Sequence, residues 1–167
     1  MARTGIALGS NLGDRLANLR AAAEGLAALS SAGSRILRAP VYQTEPVFCP
    51  EGSPVFYNSV IEIEWDGGPF ELLEKTQALE KSLGRTTVTL RNAPRVIDID
   101  LLYCGEAMVD GEALVLPHPG LGTRRFVLEP LADIRSDLIP PGWKTPVSAM
   151  LAGLVGPEPP LMRIAEM

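Results

Sequence analysis

YNSVIEIEWDGGPFELLEKTQALEKSLG, residues 57–84, changes its hydrophobic period halfway along. From Tyr57 to Trp65 the side chains alternate: Tyr57, Ser59, Ile61, Ile63 and Trp65 share one face, and Asn58, Val60, Glu62 and Glu64 the other. That is the pattern of a half-buried strand. Asp66-Gly-Gly makes a turn, Pro69 suits the first helical position, and Leu72, Leu73, Thr76, Leu79 and Leu83 form an inner stripe up to Gly84. Strand, turn and helix are thus expected in immediate succession.

The same pairing occurs upstream. The apolar run Ile6-Ala-Leu8 ends at Gly9, after which Leu12, Leu16, Leu19, Ala23, Leu26 and Leu29 follow a helical period. Ser10 or Asn11 can cap this helix, Asp14 suits the positive end of its dipole, and Gly33 is a candidate terminator. A second strand is expected over about 35–43. Residues 44–54 hold three prolines and a glycine and read as a long loop. Downstream, residues 85–95 lack a period and 96–103 read as a strand whose Ile97, Ile99, Leu101 and Tyr103 point one way. The order β-α-β-β-α-β predicts an α+β, ferredoxin-like fold, an antiparallel sheet with helices on one face. The Pro-rich remainder should add short C-terminal elements, within a single domain spanning 1–167 and a core of about 5–135.

Composition narrows the function. A net charge of −5 and a pI near 4.9 disfavour a nucleic-acid partner. Twelve of the fifteen basic residues are Arg, and Arg85, Arg91, Arg95, Arg124 and Arg125 cluster, as local anion binding requires. Cys49 and Cys104 stand in no metal or redox spacing and read as free thiols. The N-terminal apolar run is too short for a signal peptide, and no stretch approaches the roughly 18 apolar residues of a membrane span, so a soluble cytoplasmic protein is expected.

Asp98 and Asp100 share the face of the strand opposite Ile97 and Ile99, with Cα atoms roughly 6.5–7 Å apart. Two carboxylates so placed repel unless a cation lies between them, and an all-oxygen donor set suits Mg²⁺. With arginine forks nearby, the combination suits phosphoryl chemistry. A solvated strand face carrying two aspartates is the alternative that the pattern leaves open. His118, between two prolines, is the only histidine. There is no P-loop.

Gly9-Ser-Asn-Leu-Gly13, Thr44-Glu-Pro, Tyr57-Asn58, Arg91-x-x-Pro-Arg-x-x-Asp-x-Asp100 and Pro117-His118, in that order, resemble the 6-hydroxymethyl-7,8-dihydropterin pyrophosphokinase family over about residues 5–131. The resemblance implies transfer of diphosphate from ATP to the pterin hydroxymethyl group, with release of AMP, in folate biosynthesis, and two Mg²⁺ ions. It implies Asp98 and Asp100 as metal ligands, and Arg85, Arg91 and Arg95 as catalytic arginines. Thr44, Val47, Phe56, Asn58 and Phe126 would hold the pterin. Gln77, Glu80, Arg85, Arg95, Leu101, His118 and Arg124 would hold ATP. Asn92 replaces an aromatic frequent in the family, which bears on how tightly the loop closes, and Ala113, Val115 and Pro119 replace polar or aromatic residues often found around the nucleotide, which bears on whether its affinity is weaker or gained from other contacts. A monomer is expected. Two other readings compete: a Mg²⁺-dependent phosphohydrolase and a non-catalytic ferredoxin-like binding module.

Overall fold

The structure, a computed structural model, describes residues 2–44, 54–84, 96–154 and 161–167. The chain runs β1 (Ala2–Ser10), α1 (Arg15–Ala27), β2 (Leu37–Arg38), β3 (Val41–Thr44), β4 (Phe56–Trp65), α2 (Pro69–Ser82) and β5 (Asp98–Cys104). There follow β6 (Val109–Asp110), β7 (Val115–Leu116), α3 (Arg125–Arg135), α4 (Val147–Ala152) and β8 (Met162–Ala165). The main sheet has the order β5-β1-β4-β3-β8, with β2 also on β4, and every pairing is antiparallel. Taking β2 and β3 as one interrupted strand, this is the ferredoxin-like order with β8 added at an edge. The interruption falls at Ala39-Pro40, where Pro40 has no N–H for the ladder. Ser59 Oγ lies 3.0 Å from the carbonyl oxygens of both residues.

The alternation of β4 has a different outcome on each face. Ile61, Ile63 and Trp65 pack with Ile6, Leu8, Ile97, Ile99 and Leu101 against Leu19, Ala22, Ala23 and Leu26 of α1 and Leu72 of α2. The opposite face was expected to be solvated, yet Val60 is buried with Leu102 and Tyr103 under Val127, Leu128 and Leu131 of α3. An α3 of eleven residues therefore covers part of the second face. Glu62, on that face, is fully buried. Its carboxylate accepts from Arg3 Nε at 2.7 Å, from Arg135 Nη1 at 2.6 Å, and from the Tyr103 hydroxyl. Burying a carboxylate is tolerable only with such partners. Burial first, and then the Glu62 charge, push the Tyr103 hydroxyl pKa far above its ordinary value.

Three local expectations are corrected. The cap of α1 is Asp14, whose side chain accepts from Ala17 N–H at 3.1 Å, and not Ser10 or Asn11. Asn18 Nδ2 instead reaches Ser10 Oγ and the Leu12 carbonyl, consuming the polar groups of that turn. The helix ends at Ala27, and Gly33, at φ 75°, serves the turn beyond it. In β5 the register against β1 shifts between Gly5 and Ile6, so Tyr103 points away from Ile99 and Leu101. Its ring crosses Gly5, where a Cβ would lie 2.3 Å from a ring carbon. Simple alternation fails there because a bulge adds one residue to the strand.

Candidate active site

Among the described residues β5 is an edge strand, with β1 as its one strand neighbour. Glu80, on the inner side of α2, takes the place of a second neighbour at Ile99: its Oε2 accepts the Ile99 N–H at 2.8 Å. Ile99 lies between Asp98 and Asp100, which face away from it, so the cap fixes the backbone that carries both carboxylates. Opposite them on β1 are Gly9, paired with Asp98, and Ala7, paired with Asp100. Both partners are small, so neither β1 residue sets a long side chain beside the aspartates. Among the described residues no cluster of three or more His, Cys, Asp or Glu could hold a metal ion. The two carboxylates could hold Mg²⁺, which commonly takes one or two carboxylates and completes its shell with water and phosphate oxygens. The donor set fits that ion.

Of the residues expected to hold the pterin, the described ones, Thr44, Phe56, Asn58 and Phe126, lie toward the same face. Asn58 on β4 is buried, and its Nδ2 donates to Thr44 Oγ1 of β3 at 2.7 Å. Thr44 pairs with Phe56 in the ladder. Gly9 lies against Asn58 and Phe56: a Cβ there would come 2.9 Å from Asn58 Oδ1 and 3.8 Å from a ring carbon of Phe56. Phe126, in the first turn of α3, is 37% exposed, with the Arg124 guanidinium 5.6 Å from its ring centroid. An exposed aromatic of that size is available for stacking.

Tyr42, two residues before Thr44 and paired with Asn58, had not been singled out. Its hydroxyl donates to Asp133 of α3 and lies 3.3 Å from Arg163 of β8. Burial, then the Asp133 hydrogen bond, raise its pKa. A tyrosine in an apolar strand gives no sign in sequence of partners about 90 and 120 residues away.

Of the residues expected at the nucleotide, Gln77 is exposed on α2, Glu80 turns inward to β5, and Leu101 packs in the core beneath the helices. His118 is tied to β5 by its N–H, which donates to the Leu102 carbonyl at 2.8 Å. Burial lowers its imidazole pKa first and the Arg124 charge lowers it further, against an opposing pull from Asp98. His118, Arg124 and Asp98 are therefore electrostatic neighbours, although 20 residues separate His118 from Asp98. Val47, Arg85, Arg91, Arg95 and Asn92 lie outside the described residues.

One end of the sheet thus brings together a carboxylate pair, an imidazole, an arginine and a hydrogen-bonding amide beside an aromatic ring. The family described as 7,8-dihydro-6-hydroxymethylpterin-pyrophosphokinase (HPPK) matches residues 5–136. The chain is 43% identical over 129 residues to the 2-amino-4-hydroxy-6-hydroxymethyldihydropteridine pyrophosphokinase of Bacillus subtilis, covering 77% of this chain and 75% of that protein. It is 38% identical over 137 residues to the folic acid synthesis protein fol1 of Pneumocystis carinii, covering 81% of this chain but spanning only 18% of that longer protein. The wild-type HPPK-DHPS structure of Plasmodium falciparum is similar with a TM-score of 0.67 over 90% of this chain and 44% of that one. At 12% identity, that likeness concerns the fold alone. By the extent of the family match and the identity to a relative of similar length, the chain belongs to the 7,8-dihydro-6-hydroxymethylpterin-pyrophosphokinase family.

Proposed function

We propose that the chain transfers the terminal diphosphate of ATP to 6-hydroxymethyl-7,8-dihydropterin, releasing AMP, in folate biosynthesis. The observation that carries this reading is the Asp98 and Asp100 pair on one face of a capped edge strand, with His118 and Arg124 beside Asp98. The hydroxymethyl oxygen attacks the β-phosphorus, the bond from that phosphorus to the oxygen bridging the α-phosphate breaks, AMP leaves, and the alcohol proton passes to solvent. Such a displacement depends on alignment and charge neutralisation more than on a strong base, so no general base is assigned.

Asp98 and Asp100 would hold two Mg²⁺ ions, whose chemistry there is to offset charge on phosphate oxygens. Arg85, Arg91, Arg95 and Arg124 would bind and steady those oxygens with forked N–H groups. Gln77, Glu80 and Leu101 would border the nucleotide. Thr44, Val47 and Asn58 would read the polar edge of the pterin, and Phe56 and Phe126 would stack on its faces. We take the chain to act as one pyrophosphokinase domain and as a monomer, without nucleic acid or membrane. A reducing compartment such as the cytoplasm suits the buried free thiol of Cys104. No helix among the described residues is long and apolar enough to cross a membrane.

Incubation with ATP, Mg²⁺ and the reduced pterin alcohol tests the reaction. AMP formed only when the pterin is present supports it. Formation of ADP or phosphate would instead identify a hydrolase, and the absence of turnover a binding module.

A further inference from the structure

The segment after β7 turns tightly around its histidine. His118 N–H reaches back to the Leu102 carbonyl at 2.8 Å, and Leu121 N–H closes onto the His118 carbonyl at 3.0 Å. Inside this turn the Gly120 N–H donates to His118 Nδ1 at 2.9 Å. A backbone N–H is a donor at every pH, so Nδ1 must present a lone pair to it. A ring with Nδ1 as acceptor carries its single proton on Nε2. A second proton, on Nδ1, would set one N–H against another.

We propose that the Gly120 N–H is a positioning group that holds His118 as the neutral Nε2–H tautomer, so that the imidazole meets a nucleotide phosphate as a hydrogen-bond donor and not as a cation. The inference rests on the proposed function, with His118 among the ATP-binding residues and, beside Arg124 and Asp98, facing the phosphates. Among the described residues, the charged groups that act on the ring are Arg124 and Asp98. Burial and Arg124 both act against a second proton, in keeping with the geometry. Labour is thereby divided: the arginines supply positive charge, and His118 supplies one directed N–H without adding a like charge beside Arg124. A directed donor of this kind is most effective where the phosphate geometry changes during transfer. In sequence His118 stands out only as the one histidine, set between two prolines. The group that sets its protonation is the glycine after them.

Because His118 is the only histidine, ¹⁵N-histidine labelling reads this ring alone. In the unliganded protein at pH 7.5 the expected signature is a protonated Nε2 and a hydrogen-bonded, unprotonated Nδ1. An Nδ1–H tautomer or an imidazolium overturns the proposal. Gly120→Ala keeps the N–H and should keep the tautomer, although Arg124 must move from a Cβ 2.5 Å from its Nε. Gly120→Pro removes the N–H and should release a mixture of tautomers; an unchanged signature counts against the proposal. Should that variant not fold, the side-chain series decides. His118→Gln carries an uncharged N–H near the Nε2 position and should retain kcat/KM within about tenfold of wild type, whereas His118→Lys should lose about a hundredfold or more. The reverse order, with Lys the more active, would show that charge is what matters. Full activity in His118→Ala would remove the phosphate contact itself while leaving the wild-type tautomer as observed, so the two failures are distinguishable.

Discussion

Removing either carboxylate of the Asp98 and Asp100 pair tests the metal assignment where it is made. Asp98→Ala and Asp100→Ala should each lower turnover by about a thousandfold or more in a folded protein, measured as pterin-dependent AMP formation. Near-normal turnover in either would mean that the pair is only a polar strand face. Gly9 makes a subtler test, because it is needed for the space it leaves. Gly9→Ala brings a methyl to within 2.9 Å of Asn58 Oδ1, so the amide must turn or move. The acceptor KM should rise about tenfold while the ATP KM holds, since a lost or misdirected hydrogen bond in a polar pocket is worth about 1–2 kcal/mol. His118 gives a residue-scale prediction of stability. Its folded pKa is below the ordinary value near 6.5, so below that pH the unfolded chain takes up a proton that the folded chain resists. Its contribution is fully present above about pH 6.5, declines as pH falls toward the lowered folded value, and is constant beyond. Denaturant unfolding of wild type and His118→Gln at pH 5 and pH 8 reads the difference, with the carboxylates common to both. Equal pH dependence in the two proteins would contradict it.

At the level of elements, periodicity carried most of the fold, and it failed where a contact distant in sequence took over. The strand-turn-helix of β4 and α2 was legible because each uses its intrinsic period and the turn between them has Gly and Pro where needed. The second face of β4 was not, because the α3 that buries Val60 and Glu62 comes more than 60 residues later. Tyr103 was assigned to the wrong face because a bulge is a property of two strands in register. For the candidate site, alternation singled out Asp98 and Asp100 and the family resemblance Thr44 and Asn58, whereas Tyr42 and Gly120 make their hydrogen bonds to partners that no pattern predicts. Glu80 was expected at the nucleotide, and the structure adds a backbone role at β5. Glu80→Ala should therefore cost about 1–3 kcal/mol by leaving the Ile99 N–H without its acceptor, and should also reduce kcat because that N–H lies between the two aspartates. Glu80→Gln keeps an acceptor oxygen and should recover most of the stability. Equal destabilisation of the two variants, by thermal unfolding, would show that the hydrogen bond is not what Glu80 contributes.

Across the whole molecule, β8 returns to the edge of the sheet nearest Thr44 and Asn58, the residues proposed to bind the acceptor. β8 pairs with β3 through Val41 and Ala165, Tyr42 and Arg163, and Gln43 and Met162, and it lies beyond residue 136, where the family match ends. Arg163 sits over the Tyr42 ring, its carbon 5.8 Å from the centroid, and bonds both the Tyr42 hydroxyl and Asp133 at 3.3 Å. Tyr42 in turn donates to Asp133, so β3, β8 and α3 meet at one side chain. Since Tyr42 pairs with Asn58, movement of β3 is transmitted directly to the Asn58 and Thr44 hydrogen bond. Tyr42→Phe removes the hydroxyl from this junction and should cost about 1 kcal/mol. Deleting residues 161–167 uncovers the β3 edge and should lower the thermal midpoint by more than Tyr42→Phe does, because it removes ladder hydrogen bonds as well as the Arg163 contacts. In both variants the acceptor KM should rise before the ATP KM changes, because the junction adjoins Thr44 and Asn58 and lies across the sheet from β5. A folded deletion variant with an unchanged acceptor KM would show that β8 stabilises the sheet without positioning the acceptor edge.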